Sequence, residues 1–163
     1  MKERRFSINR VTAPSDYRLI EVIHGLENST TLQQLFDGKE KLQKALFHTK
    51  LKAVQDGYGV WFERNTAKIY INTRFLNKAR DDYLYLDMVH VLVHLKQFLD
   101  GKDCNESVEY VDRTTEIEAY KYTVEEARAI GFKTKDILAY LRFETSDEEF
   151  RKLVEKIGIR KRR

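Results

Sequence analysis

The sequence contains little cysteine, proline or glycine, and these scarcities exclude particular kinds of cross-link and linker. Its 163 residues include one cysteine, one proline and seven glycines. The lone Cys104 cannot form a disulfide within the chain, and no second thiol exists for a cysteine-based zinc site. With one proline there is no proline-rich linker, and no repeat or low-complexity stretch divides the chain. We therefore expect a single domain over residues 1–163 in a reducing cytoplasm.

Long apolar runs are also missing. The most apolar stretch, residues 84–99, is interrupted by polar side chains at Asp87, His90, His94, Lys96 and Gln97. Such a stretch does not cross a membrane, and the first thirty residues lack the apolar centre of an export signal. The sequence thus predicts neither a membrane partner nor secretion.

Basic residues are concentrated at both ends of the chain. Residues 1–10 hold four basic side chains against one acidic, and residues 151–163 hold seven against one. Because the total net charge is only +4, the body between the ends is acidic. The tail at residues 159–163 could contact the phosphates of a nucleic acid. Its alternative interpretation is a solubilising terminus without a binding role. The basic residues of this tail are Arg160, Lys161, Arg162 and Arg163.

The hydrophobic pattern predicts an α+β fold in which helices dominate. Ser15 is typical of a helix cap, and a helix is expected over residues 16–25. A second helical region is expected over residues 31–55, with a break at Gly38. The remaining helices are expected at residues 82–100, 115–130, 135–141 and 147–157.

One part of the chain has the composition of strands. Residues 60–62 and 67–72 are rich in β-branched and aromatic side chains, and they flank a turn-like segment. This arrangement predicts a β-hairpin, which would be the one small antiparallel sheet of the fold.

The helix expected at residues 82–100 is apolar on nearly every side, so we expect it to be buried. At about 100° per residue, Tyr83, Asp87, His90 and His94 fall on one narrow polar stripe. The spacing of the histidines places two imidazoles one turn apart, where both can reach one cation. The alternative is a pair of buried histidines hydrogen-bonded to tyrosine or carboxylate neighbours. A third ligand would favour metal binding.

The next helix offers two glutamates as that third ligand. Glu116 lies on the apolar side of the helix, together with Tyr120 and Val124. Glu118 lies on the opposite side, and its spacing from Thr115 is that of a capping box. Because a carboxylate on an apolar face is costly without a donor or cation, Glu116 is the better candidate.

These residues resemble a known family. Residues 85–97 (YLDMVHVLVHLKQ) followed by residues 115–119 (TEIEA) are similar to the zincin metallopeptidases. The resemblance is greatest to small gluzincin-type domains, whose helix reads His-Glu-x-x-His and whose next helix supplies a Glu-x-x-Ala ligand. It covers residues 57–131 and implies a zincin-like fold with zinc held by His90, His94 and Glu116. It also implies that residues 67–72 (AKIYIN) form the edge strand that pairs with an extended peptide.

The sequence departs from this family at the residue that performs the chemistry. The residue after the first histidine is Val91, where the family has a glutamate that accepts a proton from water. Valine cannot do so, and no catalytic residue is assigned here. Asp87 is expected to orient an imidazole from behind the metal ligands, and Tyr120 is expected to donate a hydrogen bond to His90, His94 or Glu116.

Three states are compatible with these residues. The first is a metal-bound pseudoenzyme, the second a metal-free protein whose polar side chains are joined by hydrogen bonds, and the third an enzyme with an unusual base. The sequence favours a catalytically impaired zincin-like protein that uses its cleft to bind a peptide or protein. A nucleic-acid-associated protein acting through its basic ends and a weakly active peptidase are the alternatives.

Overall fold

Helices make up most of the fold, as seen in a computed structural model that describes residues 5–11, 13–104 and 106–159. Two small sheets complete it, which confirms the α+β class. In chain order, the α-helices are α1 (Leu19–Val22), α2 (Thr30–Leu35), α3 (Lys39–His48), α4 (Thr73–Lys78), α5 (Asp81–Leu99), α6 (Thr114–Ala129), α7 (Thr134–Glu144) and α8 (Asp147–Ile157). The strands are β1 (Ser7–Ile8), β2 (Ser15–Arg18), β3 (Ile23–His24), β4 (Lys50–Val54), β5 (Val60–Glu63) and β6 (Lys68–Asn72).

The larger sheet has four strands in the order β2-β4-β6-β5. The expected hairpin is confirmed, because β5 and β6 pair antiparallel with Phe62 opposite Ile69. The prediction of one antiparallel sheet is wrong, however. β4 and β6 pair in parallel, with Leu51 opposite Ile69, and β1 and β3 form a second sheet. Leu51 and Ile69 are both fully buried, so apolar contact between distant parts of the chain decides this pairing.

The strand at the edge of this sheet is not the expected one. β6 has β4 on one side and β5 on the other, so residues 67–72 are interior. The edge strands are β2 and β5, and β5 packs against α5. A strand that pairs on both sides has no free backbone groups for a peptide, whereas the outer side of β5 has no strand beside it among the described residues.

The helices predicted over residues 16–25 and 31–55 are partly wrong, because part of each segment pairs as a strand with a distant part of the chain. Within residues 16–25 only α1 is helical, because β2 pairs antiparallel with β4. The break at Gly38, where φ is +126°, is confirmed. Beyond it, residues 50–54 form β4 rather than a helix, and Leu51 and Ala53 alternate inward at the period of a strand.

The helices that follow match the sequence pattern. α5, α6, α7 and α8 lie where helices are expected, although α7 extends three residues further, to Glu144. Twelve of the 19 residues of α5 are buried, which confirms that this helix lies inside the fold. Within the residues described above, no helix is both long enough and apolar enough to span a membrane.

Candidate metal centre

Two histidines on α5 face the first turn of α6. His90 and His94 are one helical turn apart, so both imidazoles leave the same side of α5. Glu116 stands in the first turn of α6, which packs along α5. The three side chains are 9–17% exposed, so their meeting point is nearly enclosed.

The structure brings together the three residues predicted as metal ligands. His90 Nε2 lies 3.0 Å from Glu116 Oε2, and His94 Nε2 lies 3.0 Å from Glu116 Oε1. The two Nε2 atoms are 3.2 Å apart. One ligand atom from each residue lies within 4.8 Å of the others, so the group could hold a metal ion.

Gln97 determines which nitrogen of His94 carries a proton. Its Oε1 lies 2.9 Å from His94 Nδ1, and its amide nitrogen donates to the Thr115 carbonyl and the Glu118 carboxylate. Because both of those partners only accept, the amide oxygen must face His94 and Nδ1 must donate. In a neutral His94 the unprotonated nitrogen is therefore Nε2, and it faces an oxygen of Glu116. Both atoms are then hydrogen-bond acceptors, with no proton between them.

Either a proton on His94 Nε2 or a bound cation resolves this conflict of lone pairs. In tetrahedral zinc sites with ligand bonds of about 2.0–2.1 Å, neighbouring ligand atoms are about 3.3–3.4 Å apart. The Nε2 atoms of His90 and His94 are 3.2 Å apart, close to that value, and each lies 3.0 Å from a different oxygen of Glu116. Two imidazole nitrogens and one carboxylate are also a donor set that zinc accepts. The residues present therefore fit a zinc ion.

Burial and neighbouring charge act in opposite directions on these three groups. Burial lowers the pKa of His90. Burial also lowers the pKa of His94, but the hydrogen bond and charge of Glu116 outweigh it, so this pKa is raised. Burial raises the pKa of Glu116, and its hydrogen bonds to both imidazoles outweigh that effect and hold this pKa well below its usual range. Glu116 is thus ionised near neutral pH, the form that binds a cation.

Asp87 does not orient an imidazole. Tyr140 donates a hydrogen bond of 2.5 Å to Asp87 Oδ1, and Glu144 lines the same cavity as Asp87. His90 Nδ1 is buried without a hydrogen-bond partner in the described ranges. The predicted role is wrong because α7 lies against this part of α5 and supplies the partner of Asp87.

Asp87 and Glu144 are two carboxyl groups that line one cavity, Asp87 buried and Glu144 half-buried. Burial raises the pKa of Asp87 to about 6. Burial, together with the nearby Asp87, raises the pKa of Glu144 to about 9. Burial also raises the pKa of the surrounding Tyr83, Tyr120 and Tyr140, so these hydroxyls stay protonated across this range. One carboxyl of the pair is therefore neutral near pH 7.

This pair predicts how stability depends on pH. A raised folded-state pKa means that the folded protein binds more protons than the unfolded chain, so the stabilisation present below about pH 4.5 is lost as pH rises towards about 9. Glu144→Gln keeps nearly the same side-chain shape but cannot acquire a negative charge at high pH. At pH 9 we expect the variant to be more stable than the wild type by about 2 kcal/mol, measured by urea unfolding.

The exposed Glu155 provides the control for that measurement. Glu155→Gln changes the net charge by the same amount and is expected to follow the wild-type curve between pH 6 and 9. A Glu144→Gln variant that loses stability in parallel with the wild type over this range would contradict the raised pKa of Glu144.

Tyr120 lies at the site but contacts it through its ring. The ring centroids of Tyr120 and His90 are 4.4 Å apart, and the Tyr120 hydroxyl is 3.1 Å from that of Tyr110. The Tyr120 hydroxyl thus faces Tyr110, which lies on a short 3₁₀ helix, Tyr110–Asp112, rather than His90, His94 or Glu116.

Glu118 has a different role from the one expected. α6 begins at Thr114 and has no side-chain cap, so Thr115 and Glu118 do not form a capping box. Glu118 accepts hydrogen bonds from Gln97 and from Lys102, whose Nζ lies 3.1 Å from its Oε2. Glu118 thereby helps to orient the amide that holds His94.

Val91 lies on the wall of a cavity beside His90. The cavity has a volume of about 390 Å³ and is bordered by the start of β5, by Val91 on α5 and by Glu144 on α7. Val91 is only 4% exposed, so its methyl groups contribute to the core as well as to this wall. Because position 91 holds a valine, the residue that follows His90 adds no carboxylate to the cavity.

Sequence reasoning missed four residues around the site. Gln97 could have been found, because it lies three positions after His94 on the same helical face. No sequence pattern pointed to the other three, because each lies on a segment whose path depends on the tertiary fold. They are Tyr110, Tyr140 and Glu144.

The basic ends are only partly described. Arg160, Lys161, Arg162 and Arg163 lie outside the described residues, so the predicted nucleic-acid contact stays a prediction. Near the other end, the guanidinium of Arg10 pairs with Asp81 and donates to the carbonyl oxygens of Leu76 and Ala79. Arg10 therefore binds the N-terminal segment to the start of α5.

The resemblance to zincins rests on these residues and their geometry alone. None of the family models, curated proteins or solved structures compared with the chain matches it significantly.

Proposed function

We propose that this protein is a zincin-like, zinc-binding pseudoenzyme that uses the cleft beside His90 to bind an extended peptide. The observation that carries the proposal is the convergence of His90, His94 and Glu116 on one point, next to a valine at position 91. A chance pair of histidines would not require a carboxylate from the following helix at 3.0 Å from each imidazole.

Zinc is the favoured cation because of the ligands. Nitrogen ligands suit zinc better than magnesium or calcium, which prefer oxygen. The lone pair that Gln97 leaves on His94 Nε2 is the form of the imidazole that binds metal. When bound, zinc would supply a Lewis acid that lowers the pKa of water to about 7.

The absence of a free base supports impaired catalysis. Val91 cannot accept a proton. Of the carboxyls that line the cavity, Asp87 already accepts a hydrogen bond from Tyr140, and burial raises the pKa of Glu144 to about 9, so that it is protonated near neutral pH. Losing a positioned general base typically costs about 10²- to 10⁴-fold in rate. Binding of a peptide does not need this base, whereas its efficient hydrolysis does.

The outer side of β5 supports peptide binding. β5 begins at Val60, which lines the cavity with His90 and Val91, and β5 packs against α5. An extended peptide can add to such an edge through backbone hydrogen bonds. The peptide would then run across the face of α5 that carries the histidines.

The metal content of the purified protein tests this proposal. We expect about one zinc per chain in the wild type and nearly none in the double variant His90→Ala/His94→Ala, because losing two of three ligands removes the site. The chain has four histidines, and the other two are exposed. The matched control is therefore His24→Ala/His48→Ala, which should retain the wild-type zinc content.

Folding of each variant would be verified by circular dichroism. Equal zinc content in the two folded double variants would refute the proposed site, as would a zinc content near zero in wild-type protein that has been incubated with the metal and desalted.

A further inference from the structure

A large groove continues from the cavity beside His90. It has a volume of about 1300 Å³ and lies between the loop at residues 55–59, α4 and the end of α7. Tyr58, Gly59, Phe75 and Phe143 line both the groove and the cavity. A ligand in the cavity can therefore extend into the groove without crossing a wall.

Two strongly exposed aromatic side chains stand in this groove. Tyr58 is 96% exposed and Phe143 is 67% exposed. Such side chains cost free energy when they face water, and their presence together marks a binding surface more often than a single exposed aromatic does. Both lie where the groove meets the cavity.

The loop that carries Tyr58 is held in place. The amide nitrogen of Asn72 donates to the carbonyl oxygens of Gln55 and Gly57, at 2.9 and 3.2 Å. Gly57 has a φ of +85°, and a Cβ atom there would lie 2.4 Å from the ring of Trp61. This close packing requires glycine, so Tyr58 is presented by an ordered loop.

The groove carries unpaired positive charge. Arg74 and Lys78 lie one turn apart on α4, and both are exposed. Neither makes an ion pair within the described part of the chain. Arg80 also lines the groove but is bonded to Asp82, and the acidic side chain of the lining is Asp56. An anionic ligand would therefore complement this surface.

We propose that the groove binds an acidic, extended peptide segment that carries an apolar side chain. The apolar side chain would lie against Tyr58 and Phe143, and carboxylates would face Arg74 and Lys78. The segment would continue into the cavity and pair with β5. This inference rests on the proposed peptide-binding function and adds the chemistry of the peptide.

A peptide fits the observations better than a nucleic acid does. Exposed aromatics and cations also bind single strands, because bases stack and phosphates attract cations. However, the groove continues into the cavity lined by Val60, the first residue of the edge strand β5, whose backbone donors and acceptors match those of a peptide. A phosphodiester backbone has no amide groups to pair there.

The test uses fluorescence anisotropy with four labelled probes and the zinc-incubated full-length protein. The first probe is the acidic peptide GEFEVDG, the second replaces its acidic residues with glutamine or asparagine, and the third replaces them with lysine. The fourth is a fifteen-nucleotide oligothymidylate. We expect the acidic peptide to bind about ten-fold more tightly than the neutral one and more tightly still than the basic one.

Charge reversal in the groove provides the second arm. Arg74→Glu/Lys78→Glu should weaken binding of the acidic peptide by about ten-fold and leave the zinc content unchanged. The matched control is Lys41→Glu/Lys44→Glu on α3, which reverses two exposed lysines outside the groove. This control is expected to bind like the wild type.

Three other results would each contradict a different part of the proposal. Equal binding of the acidic and neutral peptides, insensitive to Arg74 and Lys78, would refute the acidic chemistry and leave peptide binding in place. Failure of all three peptides to bind, with zinc present, would overturn both peptide binding and this inference. Preferential binding of the oligonucleotide that Arg74→Glu/Lys78→Glu abolishes would replace the peptide with a single-stranded nucleic acid.

Discussion

Replacing Val91 with glutamate is expected to raise peptide hydrolysis by the zinc-loaded protein by about 10²- to 10⁴-fold. Position 91 follows His90 on α5 and lies on the cavity wall. A carboxylate there would accept a proton from water and pass it to the leaving amine, the role that valine cannot perform. Hydrolysis of a quenched fluorescent unfolded protein measures the effect.

Val91→Gln is the control for this prediction. Val91 is 4% exposed, so either substitution places a polar group in a nearly buried position and costs stability. Glutamine has nearly the shape of glutamate but cannot act as a base at neutral pH. If folded Val91→Glu and Val91→Gln are equally inactive with one zinc per chain, the cleft no longer suits hydrolysis.

Replacing Glu116 with glutamine is expected to weaken zinc binding by at least about 100-fold. The substitution removes the one negative charge among the three ligands and keeps a similar side-chain volume. Even changes to residues that only orient metal ligands typically cost about 10- to 100-fold. A competition titration with a chelating dye measures the affinity.

Thermal unfolding gives an independent measure of the same substitution. At a free zinc concentration about 100 times the wild-type Kd, binding adds about 2.7 kcal/mol of stability. For a domain of this size that corresponds to a rise in Tm of roughly 5–10 °C. The same zinc concentration should raise the Tm of Glu116→Gln by less than about 2 °C.

Glu118→Gln tests which glutamate of α6 matters. It lies two residues away, carries the same charge and reaches the site only through Gln97. Its effect on zinc affinity should be clearly smaller than that of Glu116→Gln. Equal losses from the two substitutions would show that the charge of α6, rather than the position of Glu116, governs binding.

Hydrophobic periodicity was sufficient to predict a helix and its buried face where that face packs against the core. The apolar pattern of residues 82–100 indicated a buried helix with a polar stripe, and α5 has that form. The same reasoning separated Glu116 from Glu118, because the two carboxylates of one helix fall on different sides. The structure accordingly places Glu116 beside both imidazoles and Glu118 beside Lys102.

Periodicity failed where pairing with a distant strand decides the conformation. Residues 50–54 continue a plausible helical pattern, yet they form β4 because β2 and β6 lie on either side of them. The partners come from residues 15–18 and 68–72, so no local window contains the information. The edge position of β5 follows from the same pairing, since β4 occupies the other side of β6.

The sequence by itself determined the groups that can converge on a cation and the missing base, because both depend on residue type and on spacing within one helix. Only the tertiary structure decided what surrounds them. Asp87 accepts a hydrogen bond from Tyr140, and the Tyr120 hydroxyl faces that of Tyr110. The first contact joins residues 53 positions apart, and the second joins α6 to a separate 3₁₀ helix. Such contacts depend on how whole helices and loops pack, which local spacing does not encode.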